Sequence, residues 1–485
     1  MKIKHAVFSF ILFSMANTLN LASAAPLPET SVIKVQNRQL IVNNTSFTVK
    51  GVCYSPVKAG YSWTNYDWWS DPSAYNNDFP LIASMGANCI RTYNVSVNDT
   101  CVQNVLDAAA ANGLYVILGY NVSWSSDFSV AANRTQVVHD FVAFVNKWKT
   151  HKAVLMWGFG NEVDAHTPNQ AGWFVCVDSA AVAAHTAEGA GFHPVITANH
   201  EIDETVTYDN SVPNLDLWGL NVYRGRAFGN LFTSYISTKP FVMTEWGCDS
   251  FDSRINNENE VMQSEYVRSQ WIDIEDNLSY RSASNYCIGG CVFEWCDEWW
   301  KGSSTPGNAS TIGSGGLNGF SVQDTAADWT NSNYEDTNMN EEWWGLAKIA
   351  LDSYERTLKK AYYTLSNAWG GTATDLSDAP SVGAGLFQGD IKNYPNPLVN
   401  DGNSSTRIRF NVNGSPEVGI EIYDLHGEKL CDVENVSSAG STREAYWNGK
   451  DSDAGVVPAG LYICKVKASL SGREEVKYRK IAVIK

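Results

Sequence analysis

Apolar residues recur along this chain in two rhythms, short runs of four to eight and longer stretches at helical spacing, and from about residue 47 the two alternate. Phe47 to Cys53 reads as a first strand and Ala87 to Tyr93 as a second. Asp99 to Asn112 is an alanine-rich helix that Gly113 stops. Leu114 to Tyr120 is a third strand. Thr135 to Lys149 spaces valine, phenylalanine and tryptophan as a helix does, and Val154 to Gly158 follows as a fourth strand. The alternation continues with a helix at Gly172 to Glu188, strands at Val195 to Ala198, Leu215 to Val222 and Pro240 to Trp246, and a helix at Glu258 to Leu278. Cys287 to Trp295 is the eighth strand, and Trp343 to Leu365 reads as a closing helix.

Eight such units predict an α/β fold of the (β/α)8 TIM-barrel type. The competing doubly wound open sheet usually carries a glycine-rich turn after its first strand. Here that strand runs into Tyr54-Ser55-Pro56 instead. Residues 297–342, rich in Gly, Ser, Asn, Asp and Thr, are too long for a simple connection. Their place after strand eight sets them over the catalytic face, as a wall of a cleft or as a structural belt. Beyond the barrel the rhythm changes to alternating short strands, as at Arg407 to Asn411, Val418 to Tyr423 and Leu461 to Val466. The expected organisation is a segment 1–25, a barrel 30–370, a linker 371–390 and a small all-β sandwich 391–485.

The first segment has the three-part layout of a secretory signal peptide: Lys2 and Lys4, an apolar run from Ala6 to Met15, and Ala22-Ser23-Ala24-Ala25. The run is too short for a membrane-spanning helix, so a secreted or cell-surface protein is expected. The formal charge of −17 and the lack of any Lys/Arg block disfavour nucleic acid and anionic membranes as partners. Ten cysteines fit an oxidising compartment, with Cys248–Cys296 and Cys431–Cys464 as conceivable disulfide bonds. Their spacing forms no zinc pattern, and no metal or other cofactor is expected.

In a barrel, chemistry sits at the carboxyl ends of strands. Two glutamates occupy such ends, Glu162 in Trp157-Gly158-Phe159-Gly160-Asn161-Glu162 and Glu245 in Val242-Met243-Thr244-Glu245-Trp246-Gly247. Either alone would also suit a surface salt bridge. Together they match the carboxyl pair that glycosidic cleavage requires. Glu162 is assigned as the acid/base and Glu245 as the nucleophile, which needs donors or a cation to stay ionised. Arg91 after strand two and Tyr223 after strand six are placed to supply them, and Asn161 to hold a sugar 2-hydroxyl. Eighteen tryptophans support a sugar ligand, since an aromatic face suits a pyranose ring. Trp295, at the end of strand eight, is the expected platform, with Trp246 and His200 as further substrate-side candidates; Trp63, Trp68, Trp69, Trp124, Trp299 and Trp300 also fall at or after strand ends. Motifs of serine esterases, zinc proteases and P-loop NTPases are missing.

The stretches Ala87-Asn88-Cys89-Ile90-Arg91-Thr92-Tyr93, Gly160-Asn161-Glu162-Val163, Gly219-Leu220-Asn221-Val222-Tyr223 and Thr244-Glu245-Trp246-Gly247-Cys248 resemble the clan of retaining barrel glycosidases with catalytic glutamates after strands four and seven. Within it the chain looks most like the glycoside hydrolase 2 barrel and the fungal β-1,3-glucanosyltransferases. Glu245-Trp246-Gly247-Cys248 departs from the glucanosyltransferase Glu-Tyr-Gly-Cys by one aromatic swap, and Gly289-Gly290-Cys291-Val292-Phe293-Glu294-Trp295 resembles strand eight of both. The resemblance spans roughly residues 40–367 and implies the same two glutamate roles, supported by Arg91, Asn161 and Tyr223. Tyr394-Pro395-Asn396-Pro397, Ile422 to Gly427, Trp447 to Asp451 and Pro458 to Tyr462 resemble a bacterial immunoglobulin-like module of the flagellar hook-cap type, similar to C-terminal sorting domains. That implies an exported protein of Gram-negative type, engaging cell-surface secretion machinery.

The expectation is therefore a retaining β-glycoside hydrolase acting on a β-glucan polysaccharide or oligosaccharide, β-1,3-linked by preference. The alternatives are a β-glucanosyltransferase, a β-mannanase and a non-catalytic glycan-binding barrel.

Overall fold

The computed structural model describes residues 25–351, 353–373 and 386–484, less 401–403, 413–415, 425–427, 435, 440–441 and 471–472. The expected signal peptide 1–25 and most of the expected linker 371–390 lie outside the described residues. The chain divides into two units, Met1–Thr374 and Asp375–Lys485.

Eight parallel strands close into a barrel in the first unit: β1 (Val49–Cys53), β2 (Cys89–Arg91), β3 (Tyr115–Tyr120), β4 (Val154–Asn161), β5 (Val195–His200), β6 (Leu217–Asn221), β7 (Phe241–Trp246) and β8 (Cys287–Val292). Each pairs with the next in chain order, and β8 returns to β1. The strands are buried almost throughout, as parallel strands covered on both faces must be. Closure brings β8 very close to β1. Gly289 takes a positive φ of 105°, and a Cβ there would lie 2.2 Å from the Val49 carbonyl oxygen, so only glycine fits.

Six longer helices surround the strands: α1 (Pro72–Ser84), α2 (Asp99–Ala111), α3 (Ala131–Trp148), α4 (Gln170–Glu188), α5 (Glu260–Asp276) and α6 (Lys360–Trp369). The Asn98 side chain caps α2 by accepting from the Thr100 N–H, and Asn169 and Asn259 do the same for α4 and α5. The sequence pattern does not announce α1, because Asn76, Asn77, Asp78 and Pro80 break its apolar period. Asp78 nevertheless faces inward, where it accepts from the Tyr54 hydroxyl at 3.0 Å and pairs with Arg356 at 2.9 Å. A three-stranded meander at residues 33–46 is likewise unannounced. Its two turns put Asn37, Arg38, Asn43 and Asn44 at positive φ, the geometry of tight hairpin turns, without the usual glycine.

The closing helix is shorter and later than expected. Residues 344–347 pass along the exit of β8, with the Leu346 and Ala347 amides donating to the Glu294 and Trp295 carbonyls at 2.9 Å. Gly345 allows this approach, since a Cβ there would sit 2.1 Å from the Asp297 nitrogen. A two-residue hairpin pairs Ala347–Lys348 with Thr357–Leu358, and only then does α6 begin. Lys359 anchors the junction: its ammonium donates to Asp297 at 2.6 Å, Ser250 at 3.0 Å and the Trp343 carbonyl at 3.2 Å, fully buried.

Residues 297–342 act both as belt and as wall. Asp324, Asp328 and Asp336 are buried and accept backbone N–H groups, Asp328 from Ser303 at 2.5 Å and Glu341 at 2.7 Å, Asp336 from Ser253 at 2.5 Å. These carboxylates supply the acceptors that an irregular buried segment otherwise lacks. Tyr334 ties the segment to the Gly247 carbonyl at 2.8 Å, and Asn331 to that of Tyr223 at 2.9 Å.

All ten cysteines are free, which corrects the expected disulfide bonds. Cys431 and Cys464 both lie opposite Ile422, on the two strands that flank it. Two strand spacings, roughly 9–10 Å, exceed the reach of a disulfide. The Cys248 thiol donates instead to the Asp249 carbonyl at 3.2 Å, while Cys296 pairs through its backbone with Ala347.

The second unit is all β, with two open sheets of four and five strands sharing one core that includes Ile408, Phe410, Ile422, Trp447 and Val466. Residues Thr406–Val412 alternate buried and exposed along the strand, as a sheet with one wet face requires.

Two outcomes are expected. Thiol titration of the unfolded protein without reductant gives ten free thiols; fewer would restore a disulfide. Replacing Lys359 by Met leaves Asp297 buried and unpaired, and lowers stability in urea by roughly 3–5 kcal/mol. A loss below about 1 kcal/mol would mean that Asp297 finds another partner.

Candidate active site

The register of the barrel collects polar side chains at its carboxyl-end mouth. Asn161 pairs with Ala198, His200 with Asn221, and Asn221 with Glu245, so the ends of β4 to β7 lie side by side. Arg91, at the end of β2, is buried and reaches across the barrel. Its Nη1 donates to Glu245 Oε1 at 2.8 Å and to the Thr244 carbonyl at 3.1 Å, and its Nη2 donates to Asn161 Oδ1 at 2.6 Å.

Glu245 takes three side-chain donors. Arg91 and the Tyr93 hydroxyl, at 2.9 Å, share Oε1, while the Tyr223 hydroxyl donates to Oε2 at 2.9 Å. An acceptor-only group so surrounded is satisfied as a carboxylate. Glu162 has one donor, Asn221 Nδ2 at 3.0 Å. The Thr244 hydroxyl donates to Asn221 Oδ1 at 2.7 Å, which fixes that amide with its nitrogen toward Glu162 and Asn161. Burial pushes the Glu162 carboxyl above its ordinary range; the negative charge of Glu245 raises it further, and the Asn221 bond opposes both. The backbone sets Glu162 apart as well: it sits at φ 50°, in the left-handed region, with its N–H on the Ala198 carbonyl at 2.7 Å. Non-glycine residues are seldom held there, and sites of chemistry are where they cluster.

Asp164, two residues on, is buried and pushed up to about 8, first by burial and then by the charges of Glu204 and Glu162. It accepts the His200 N–H at 3.1 Å. The exposed His200 imidazole lies near enough for its charge to favour ionised Glu162. Lys301 reaches the mouth from the loop after β8, with its ammonium 4.1 Å from the Phe293 ring centroid and 3.4 Å from Glu341.

Glu162, Glu245, Arg91, Asn161 and Tyr223 thus meet in one hydrogen-bond net, with His200 at its edge. Trp295 does not join it as a platform. It is buried, with its ring edge-on to Tyr362 of α6, and offers no open face to a sugar. Trp246 is also buried, against Trp271, and its side chain offers no open face. Sequence reasoning left Tyr93 and Asn221 without roles. Each stands two residues from an assigned one, Arg91 and Tyr223, and the two-residue period of a strand was the available signal. Two further carboxylates that follow barrel strands are tied up in ion pairs, Glu201 with Arg224 at 2.5 Å and Asp297 with Lys359. Among the described residues no group of three or more His, Cys, Asp or Glu is arranged to hold a metal ion, and no helix is long and apolar enough to cross a membrane.

Residues 22–183 match the family model described as Glucanosyltransferase. The 1,3-beta-glucanosyltransferase gas2 of Schizosaccharomyces pombe is 24% identical over 315 residues, 58% of this chain and 64% of the relative. The 1,3-beta-glucanosyltransferase GAS5 of Saccharomyces cerevisiae is 25% identical over 274 residues, covering 52% and 53%. The matches therefore span less than two thirds of either relative. Among solved structures, a β-glucuronidase of Bacteroides uniformis aligns at a TM-score of 0.48 and 14% identity, over 94% of this chain and 48% of that one. Part of the chain is thus similar to glucanosyltransferases, which supports an enzymatic role in glycosyl transfer or hydrolysis.

The electrostatic coupling has a direct consequence. Replacing Glu245 by Gln removes the neighbouring negative charge, so the Glu162 titration midpoint falls, yet stays above that of an exposed glutamate because burial persists. Carboxyl carbon NMR titration of both proteins reads this; an unchanged or higher midpoint would show that the two carboxylates do not sense each other.

Proposed function

We propose that the chain is a retaining β-glucanosyltransferase acting on a β-glucan, β-1,3-linked by preference, with Glu245 as nucleophile and Glu162 as acid/base. The observation that carries the reading is the unequal setting of the two glutamates, three donors on Glu245 and one on a partly buried Glu162. Carboxyl groups whose surroundings separate their acidities mark the base or nucleophile and the acid. Similarity to glucanosyltransferases favours transfer over hydrolysis as the outcome.

In the first step Glu245 forms a bond to the anomeric carbon as the glycosidic C–O bond breaks, and Glu162 gives its proton to the departing oxygen. Arg91, Tyr93 and Tyr223 orient the attacking carboxylate. Loss of its charge in the covalent intermediate lowers the pKa of Glu162, so the carboxyl that gave up its proton stays ionised and serves as base. In the second step the hydroxyl oxygen of an acceptor sugar bonds to the anomeric carbon, its proton passes to Glu162, and the bond to Glu245 breaks. Water in place of the acceptor gives hydrolysis. Asn161, held by Arg91 and Asn221, is placed for the 2-hydroxyl of the reacting sugar, a contact that strengthens in the transition state. We take the protein to be exported, with the C-terminal all-β unit as an immunoglobulin-like sorting or spacer module.

Incubation with a β-1,3-gluco-oligosaccharide of defined length is expected to yield products longer than the starting sugar. Glu245→Gln and Glu162→Gln should each lower turnover by at least about 10³-fold. Only shorter products would identify a hydrolase. Turnover by Glu245→Gln at the original rate would remove that residue from the mechanism. No action on β-1,3-glucan, with action on β-mannan, would replace the substrate.

A further inference from the structure

All eighteen tryptophans lie in described parts of the chain, and only Trp63 and Trp124 are largely exposed, at 53% and 45%. A buried tryptophan is core, but an exposed one carries a large apolar face in water without an evident structural return. Both stand on loops at the catalytic mouth, Trp63 after β1 and Trp124 after β3. Their surroundings differ. Trp63 leans toward the loop after β8, with its indole nitrogen 4.0 Å from where a Cβ of Gly313 would lie, and the Trp300 ring comes within 3.5 Å of the same point.

Trp124 is held much more tightly. One face of its ring stacks on His166, with centroids 3.9 Å apart and planes 18° from parallel. Its indole N–H donates to the Asn161 carbonyl at 2.7 Å. That carbonyl belongs to the peptide joining Asn161 to Glu162. The ring is thus fixed on both counts, and its exposure leaves a rigid flat surface beside the acid/base glutamate. A fixed aromatic face binds a sugar at small entropic cost, because its side-chain freedom is already spent in the free protein.

Chemistry identifies the sugar. The acid/base must touch the oxygen between the two sugars, so the leaving sugar lies on the side of Glu162. By microscopic reversibility the acceptor enters where the leaving sugar departed. We propose that Trp124, backed by His166, is the stacking platform for the leaving-group and acceptor glucosyl unit, and that it sets the partition between transfer and hydrolysis. This rests on the transferase reading above. In the second step the acceptor hydroxyl oxygen bonds to the anomeric carbon, its proton goes to Glu162 and the Glu245–carbon bond breaks; Trp124 only raises the occupancy and alignment of that acceptor against water.

The test compares full-length wild type, Trp124→Ala, Trp124→Phe and Trp63→Ala on one β-1,3-gluco-oligosaccharide over a range of concentrations, reading longer products against released reducing sugar. Trp124→Ala is expected to lower the transfer-to-hydrolysis ratio about tenfold, the size of one lost stacking contact. Trp124→Phe keeps a ring but loses the N–H bond to Asn161, and should recover most of the ratio. Trp63→Ala should leave the ratio near that of the wild type while raising KM. An unchanged ratio in Trp124→Ala overturns the proposal. So does an equal loss in Trp124→Phe, which would assign the effect to the Asn161 peptide and not to stacking. Wild-type hydrolysis with no transfer, or no turnover at all, would instead defeat the transferase reading, and the platform would fall with it.

Discussion

The mouth of this barrel is organised by one buried cation. Arg91 cannot lose its charge, and a guanidinium out of water must be met by acceptors on every side. It meets Glu245, the Thr244 carbonyl and Asn161, which come from two other strands. Its planar fork fixes both distance and orientation, so the carboxylate at the end of β7 and the amide at the end of β4 are set relative to each other by one side chain from β2. Tyr93 and Tyr223 then take the remaining acceptor positions of Glu245. Asn221, locked by Thr244, carries the net on to Glu162. Removing Arg91 would leave Glu245 with neutral donors only and would release Asn161, so its effects would not divide into separate contributions.

The same logic of pairing extends to the acidic loops. The chain is strongly anionic, yet many of its carboxylates are buried in or against the 297–342 segment. Asp324, Asp328 and Asp336 are used as acceptors for backbone N–H groups, and Asp297 is matched to the buried Lys359. A loop of that length, poor in apolar residues, cannot be held by hydrophobic burial alone. Its own carboxylates replace the missing ladder, and through Asn331 and Trp329 the result bears on Tyr223. The wall of the site is thus made of charges that satisfy peptide groups, which explains how so polar a segment lies against a precise net.

Much of this was legible in the sequence. The strand-and-helix alternation gave the closed parallel barrel, because strands buried on both faces write themselves as apolar runs. Residues at the ends of those runs converge for topological reasons, so Arg91, Asn161, Glu162, Tyr223 and Glu245 were within reach of a reading that knew only strand order. What escaped depends on long-range packing. Trp295 ends an apolar run as a platform would, but its ring is buried edge-on to Tyr362, far along the chain, and nothing local to residue 295 records that. The cysteines show the same blindness: their number suggested disulfides, while register places Cys431 and Cys464 one strand too far apart. Helix α1 was hidden because its inward polar residue, Asp78, has its partner Arg356 far along the chain.

In the proposed reaction, the glutamate pair does not by itself choose between transfer and hydrolysis. Either acceptor, water or sugar, gives its proton to Glu162 and attacks the same carbon. Water is small and abundant, so a sugar hydroxyl competes only if binding holds it in place long enough and in line. That advantage must come from surface beyond the net of Arg91, Glu245 and Glu162, and from surface that is rigid before the sugar arrives. The barrel strands supply the chemistry and keep it constant; the loops after them supply the competition. On this view Trp124 and His166, two side chains from successive loops stacked on each other, bear on the fate of the intermediate without touching the atoms that react.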